Sequence, residues 1–163
     1  MLHNEKQYTV YIETSIPSFY YTLRRDLESR AMQSWTQKWW VQYADQFTLV
    51  SSIVVINELS DGTSEKTQDR INLVKDLEML SVTTEIDQIA QTYIDRLIMP
   101  QDMFGDAHHV ALASFYNVDA LLTWNYKHIA NLNKIYRIRQ INQELDLPTP
   151  ELATPLNYLG VDD

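Results

Sequence analysis

The sequence predicts an α/β protein, a three-layer α/β/α sandwich around a mainly parallel central sheet. Three observations lead there. Short aromatic or β-branched runs alternate with longer stretches of helical periodicity along the whole chain. The strand-like runs are continuously apolar, as strands buried on both faces are. Parallel neighbours also need crossover connections, and the intervening helical stretches are long enough to supply them.

Tyr8 to Ile12 (YTVYI) reads as a short buried strand that ends at Glu13, Thr14 and Ser15, just before Pro17. From Phe19 to Tyr43 the pattern turns helical, with Leu23, Leu27, Met32, Trp35, Trp39 and Trp40 at three- and four-residue spacings, as two helices or one bent one. Trp35 and Trp39 share a face, which reads as a core contact. Phe47 to Ser52 (FTLVSS) is the second strand. The adjoining IVVINEL begins a helix despite its β-branched residues, with Glu58 in its early turns.

Thr63 to Leu80 reads as an amphipathic helix presenting Ile71, Val74, Leu77 and Leu80, and Ser81 to Thr84 (SVTT) as a strand. A helix from Gln88 to Ile98 ends before Pro100. Asp106 opens the helical run DAHHVALASFYN, whose Ala107, Ala111 and Ala113 permit close approach to a sheet. Ala120 to Trp124 (ALLTW) is again a buried strand, followed by Asn125. Asn131 to Leu147 is helical, and Pro148 to Pro150 breaks the chain before a last strand near Leu152 to Thr154.

A chain of 163 residues that is 45% hydrophobic forms one compact domain, spanning 1–163. Cysteine is absent, which excludes disulfides, thiolate zinc sites and cysteine nucleophiles, and fits a reducing, cytoplasmic setting. The N-terminus lacks a basic segment followed by an apolar run, and no window reaches about 18 apolar residues, so a soluble protein without a membrane span is expected. A formal charge of −9 argues against coating nucleic acid through overall basicity. One local exception exists. From Ala120 to Gln143 there is no Asp or Glu, while Lys127, Lys134, Arg137 and Arg139 all fall there.

The chemistry-bearing residues stand at element junctions. Glu13 follows the first strand, Glu58 the second, Asp106 starts a helix and Asn125 follows a later strand. In open parallel sheets ligands bind beyond the carboxyl ends of the strands, where such junctions converge. Oxygen-only ligands suit hard Mg²⁺ or Mn²⁺, and phosphodiester hydrolysis is the natural reaction class. Asp106 as an N-cap, Glu58 as a surface residue and Glu13 as an arginine partner are the structural alternatives. His108 and His109 point about 100° apart on a helix and read as structural. His128, in the basic segment, is a candidate phosphate contact. Asp102 falls in a loop and outside the acidic set.

The segments YIETSIPSFY, SSIVVINELSDG, DAHHVALASFYNVDALLTWNYKHIAN and PTPELATP resemble the PIN-domain nuclease family, which includes the VapC toxins of bacterial toxin–antitoxin pairs. The resemblance covers nearly the whole chain. It implies that Glu13 stands for the family's strand-one acid, usually Asp, with Thr14 or Ser15 as the neighbouring hydroxyl. Glu58 and Asp106 match the second and third acids, and Asn125 occupies a position that is often Asp. It implies a metal-dependent endoribonuclease in which Glu13, Glu58 and Asp106 hold Mg²⁺ or Mn²⁺ while Asn125 orients a water or a weaker second ion. Single-stranded or structured RNA as substrate, an antitoxin partner and a homodimer follow from the same resemblance, with Trp124, Tyr126, Lys127 and Arg137 as candidate RNA contacts.

The extra methylene of Glu13 and the missing charge at Asn125 keep a catalytically silent RNA- or protein-binding module as the alternative. A phosphoacceptor receiver domain is disfavoured, because the first strand carries one acid rather than a pair.

Overall fold

The computed structural model describes residues 7–96, 104–127 and 129–160, and all statements below concern these. Five strands form one sheet: β1 (Thr9–Ile12), β2 (Thr48–Ser52), β3 (Glu78–Leu80), β4 (Ala120–Leu122) and β5 (Glu151–Ala153). Their spatial order is β3-β2-β1-β4-β5, and every pairing is parallel. The predicted α/β class with a parallel sheet is what the chain adopts.

Seven helices connect the strands: α1 (Ser15–Tyr20), α2 (Leu27–Gln42), α3 (Ile53–Ser60), α4 (Thr67–Val74), α5 (Thr84–Asp95), α6 (Phe104–Phe115) and α7 (Leu132–Glu144). The chain steps from β1 through β2 to β3 in one direction, then returns past β1 to β4 and β5. Right-handed crossovers therefore carry the first connections over one face and the later ones over the other. Among the described residues no helix is long and apolar enough to cross a membrane.

Burial peaks at the centre of the sheet. Val10, Tyr11 and Ile12 of β1 and Ala120, Leu121 and Leu122 of β4 are fully buried, whereas the edge strands β3 and β5 are only partly covered. Ala107, Ala111 and Ala113 of α6 are also fully buried, and α6 packs on α5 and β4. Trp39 stacks on Phe47 and Trp35 leans on Trp124, so both tryptophans serve the core but with different partners.

Several expectations about elements need correction. Between Phe19 and Tyr43 the chain takes the two-helix form of the expected alternatives, with α1 already begun at Ser15 and α2 starting at Leu27. Leu23 and Leu27 are exposed, because Asp26 N-caps α2 through a bond from Ser29 N and starts the helix only at Leu27. The helix read over Thr63 to Leu80 stops at Val74, and residues within that stretch, Glu78–Leu80, pair with β2 as β3. The strand expected at Ser81 to Thr84 is absent: Thr83 N-caps α5, which begins at Thr84 rather than Gln88. The far end of that expected helix lies outside the described residues.

Candidate active site

The sheet reverses its direction of growth beside β1, and the acids lie at the carboxyl end of this switch point. Glu13 directly follows β1 and is buried. Its Oε2 accepts from Ser15 N at 2.9 Å, from the Ser15 hydroxyl and from Thr123 Oγ1 at 2.8 Å. Both hydroxyls do double duty. Ser15 Oγ accepts from Trp124 N at 2.7 Å and Thr123 Oγ1 from Asn125 N at 2.9 Å, which ties the end of β1 to the end of β4.

Glu58, in the second turn of α3, is 37% exposed at its side chain. Its Oε1 accepts from Thr14 Oγ1 at 2.9 Å and bonds the Nε2 of His109, which is fully buried on α6. Behind His109 the Tyr11 hydroxyl bonds Nδ1 at 2.7 Å and the Ser52 hydroxyl at 2.7 Å. Burial opposes the charge on Glu58, but the hydrogen bond and charge of His109, with the Thr14 hydroxyl, outweigh it and lower its pKa. Burial likewise opposes a charge on His109, yet Glu58, Glu13 and Asp106 together raise its pKa. Gly105 makes this packing possible, since a Cβ there would lie 2.8 Å from Glu58 Oε2.

Asp106, third residue of α6, is 6% exposed. Burial, and next the charge of Glu13, push its pKa up to about 6, against the opposing charge of His109 and a hydrogen bond from Asn125. Its Oδ2 is buried and has no hydrogen-bond partner among the described residues. Such an oxygen is costly unless a proton or cation meets it.

The donor chemistry, three carboxylates and an amide, fits a hard divalent cation. The spacing is looser than the chemistry. Among the described residues no three His, Asp or Glu side chains are grouped so that they could hold an ion as they stand. Glu13 and Glu58 each commit one oxygen to protein donors instead.

Two solved structures share this architecture. VapBC2 from Rickettsia felis, bound to a promoter DNA fragment, matches with 16% identity and a TM-score of 0.52, over 90% of this chain and 98% of that one. FitAcB from Neisseria gonorrhoeae matches with 10% identity and a TM-score of 0.52, over 92% of this chain and 99% of that one. The fold is PIN-like. No family model matches the sequence, and no curated protein matches it either.

Within the PIN-like fold all four sequence-derived candidates meet at one end of the sheet. Asn125 bonds Asp106, and Glu13 and Glu58 both act on the Asp106 charge. His108 points away and bonds Asp87 at 2.8 Å, whereas His109, read from sequence as structural, touches Glu58. Its signal was its place three residues after Asp106, on the same helix face. Tyr11, Thr123 and Gly105 carried no such signal, because their roles depend on which strands become neighbours. Asp102 and His128 lie outside the described residues. Of the candidate RNA contacts, Tyr126 is exposed and Trp124 is buried, its indole N–H donating to Thr36. Arg137 lines a separate cavity beside Arg96 and Glu144.

Proposed function

We propose that the chain is a Mg²⁺- or Mn²⁺-dependent endoribonuclease and the toxin of a toxin–antitoxin pair. The observation that carries this reading is Asp106, whose buried Oδ2 lacks a partner and whose pKa is pushed to about 6 beside Glu13 and Glu58. A site that keeps like charges together at the carboxyl end of a parallel sheet is suited to a cation. Glu13, Glu58 and Asp106 would hold it, directly or through water. When bound, the ion supplies hydroxide at neutral pH and charge neutralisation at a phosphate.

The remaining work belongs to the protein. His109 and Thr14 both hold Glu58 at Oε1, Ser15 and Thr123 hold Glu13 at Oε2, and the Asn125 amide bonds Asp106. In this reading Asn125 would also orient a water or a weaker second ion. The names VapBC2 and FitAcB belong to toxin–antitoxin pairs, which supports a protein partner for this chain as well.

Labelled single-stranded RNAs incubated with Mn²⁺, Mg²⁺ or EDTA test the reading. Wild type is expected to cut with metal and not with EDTA, and Asp106→Ala, still folded, is expected not to cut. In cells, induced wild type is expected to arrest growth and Asp106→Ala is not.

One observation favours a second reading. Because Glu13 and Glu58 already spend oxygens on protein donors, a silent PIN-like binding module is the alternative. Folded, partner-free protein that cuts no RNA with any metal, yet still binds RNA or a protein, would decide for it.

A further inference from the structure

Two cavities adjoin at Phe19 and Arg24. The first, about 350 Å³, is lined also by Trp124, Asn125, Tyr126 and Lys127 from the segment after β4. The second, about 470 Å³, runs from Phe19 and Arg24 to Ser18, Thr22, Ser64 and Arg70. Asn125 bonds Asp106, so a strand leaving the acids through the first cavity enters the second.

Among the described residues Arg70 is the cation there with no carboxylate partner. Its Nη2 donates to the Tyr21 carbonyl at 3.2 Å, while its Nε is buried with no partner among the described residues. Its chain neighbour Asp69 pairs with Lys66 at 3.7 Å instead. Burial lowers the Arg70 pKa. A half-buried guanidinium whose Nε is shielded from water is satisfied by an oxyanion that matches its fork of donors. Two hydroxyls have no acceptor among the described residues. Thr22 Oγ1 accepts from Arg24 N and Ser64 Oγ from Lys66 N, which leaves each hydroxyl proton available to an anion in the cavity.

We propose that the Arg70–Arg24 cavity seats a backbone phosphate of the RNA strand, one that neighbours the phosphate at Glu13, Glu58 and Asp106. The proposal rests on the ribonuclease reading above. Charge complementarity selects the ligand: in a protein of net charge −9, two arginines and Lys127 gather along one groove. Phe19 and the exposed Tyr126 line it with aromatic rings, the kind of side chain on which unpaired bases stack, which fits a single strand. Asp26 and Glu28 line only the first cavity, where Asp26 caps α2 and also pairs with Arg24 at 3.9 Å, an exposed contact that a phosphate on the arginine would displace.

The test is equilibrium binding of a fluorescein-labelled single-stranded RNA to full-length protein in EDTA across a salt series, so that no cleavage is needed. Arg70→Gln and Arg24→Gln are each expected to weaken binding several-fold and to reduce the slope of log affinity against log salt by about 0.7. Arg24 is 73% exposed at its side chain, so its variant reports even if Arg70→Gln misfolds. An unchanged affinity and slope in folded variants, or no RNA binding by wild type, overturns the proposal. So does competition by an acidic peptide that depends on Arg70 while RNA binding does not. The two readings separate cleanly: Asp106-dependent cleavage with unaltered affinity in both arginine variants sinks the phosphate seat alone. Arginine-dependent binding without cleavage sinks the nuclease alone.

Discussion

At Asp106 a buried carboxylate is held in tension with its neighbours, and this has a measurable pH signature. Its folded pKa, about 6, lies above the ordinary 3.8, so the folded state binds this proton more tightly than the unfolded one. The stability tied to that proton is complete below about pH 4 and is lost as pH rises through 6, by up to about 3 kcal/mol. In EDTA, the unfolding free energy of wild type should therefore fall relative to Asp106→Asn between pH 4 and 7. A constant difference across that range would remove Asp106 as a strained group. Gly105→Ala separates helix propensity from site packing. An alanine inside a helix ordinarily gains about 1 kcal/mol over glycine, but this methyl would strike the Glu58 carboxylate. Its melting temperature should not rise, and cleavage should fall about 10- to 100-fold, as when a group supporting a metal ligand is lost. The acids themselves could be read from their positions at strand ends and a helix start. The hydroxyls that hold them could not, because Thr123 reaches Glu13 only once β4 lies beside β1.

Elements were readable where their period was long and obscure where they were short. The run ending at Leu80 kept a helical spacing of apolar residues, but Leu77, Met79 and Leu80 are half-buried around a three-residue strand that exists because β2 offers it an edge. Tertiary pairing overrides local pattern in so short a segment. At the other end of the sheet, Asn142 of α7 gathers a buried polar network. It accepts from Tyr93 Oη, and the two hydrogens of its Nδ2 are shared among Ser114 Oγ at 3.0 Å, Thr149 Oγ1 at 3.1 Å and the Pro148 carbonyl at 3.3 Å. These bonds join α5, α6 and α7 to the loop that feeds β5. Asn142→Ala strands several buried groups at once and should cost about 3 kcal/mol. The expected readout is a lower urea midpoint with an unchanged slope.

For the molecule as a whole, a cation that binds only the folded state stabilises it by mass action. Mg²⁺ or Mn²⁺ at about a hundred times its dissociation constant adds about 2.7 kcal/mol, which should raise the melting temperature by about 5 to 10 °C for a chain of this size. Asp106→Ala should lose that rise; equal stabilisation of the variant would place the ion elsewhere. The overall fold class was readable because alternation of strands and helices is a property of the whole chain, whereas strand order is a choice among topologies that no local segment reveals. That order also sets a timetable for synthesis. β1 sits at the centre of the sheet, yet β4, its partner on one side, pairs Val10 with Ala120. A growing chain emerges with Glu13 early and Asp106 and Asn125 late, and the long loop must close before the central pair forms. A nascent chain still on the ribosome, surrounded by RNA, therefore cannot assemble its acidic cluster until Asn125 and the strand before it have emerged.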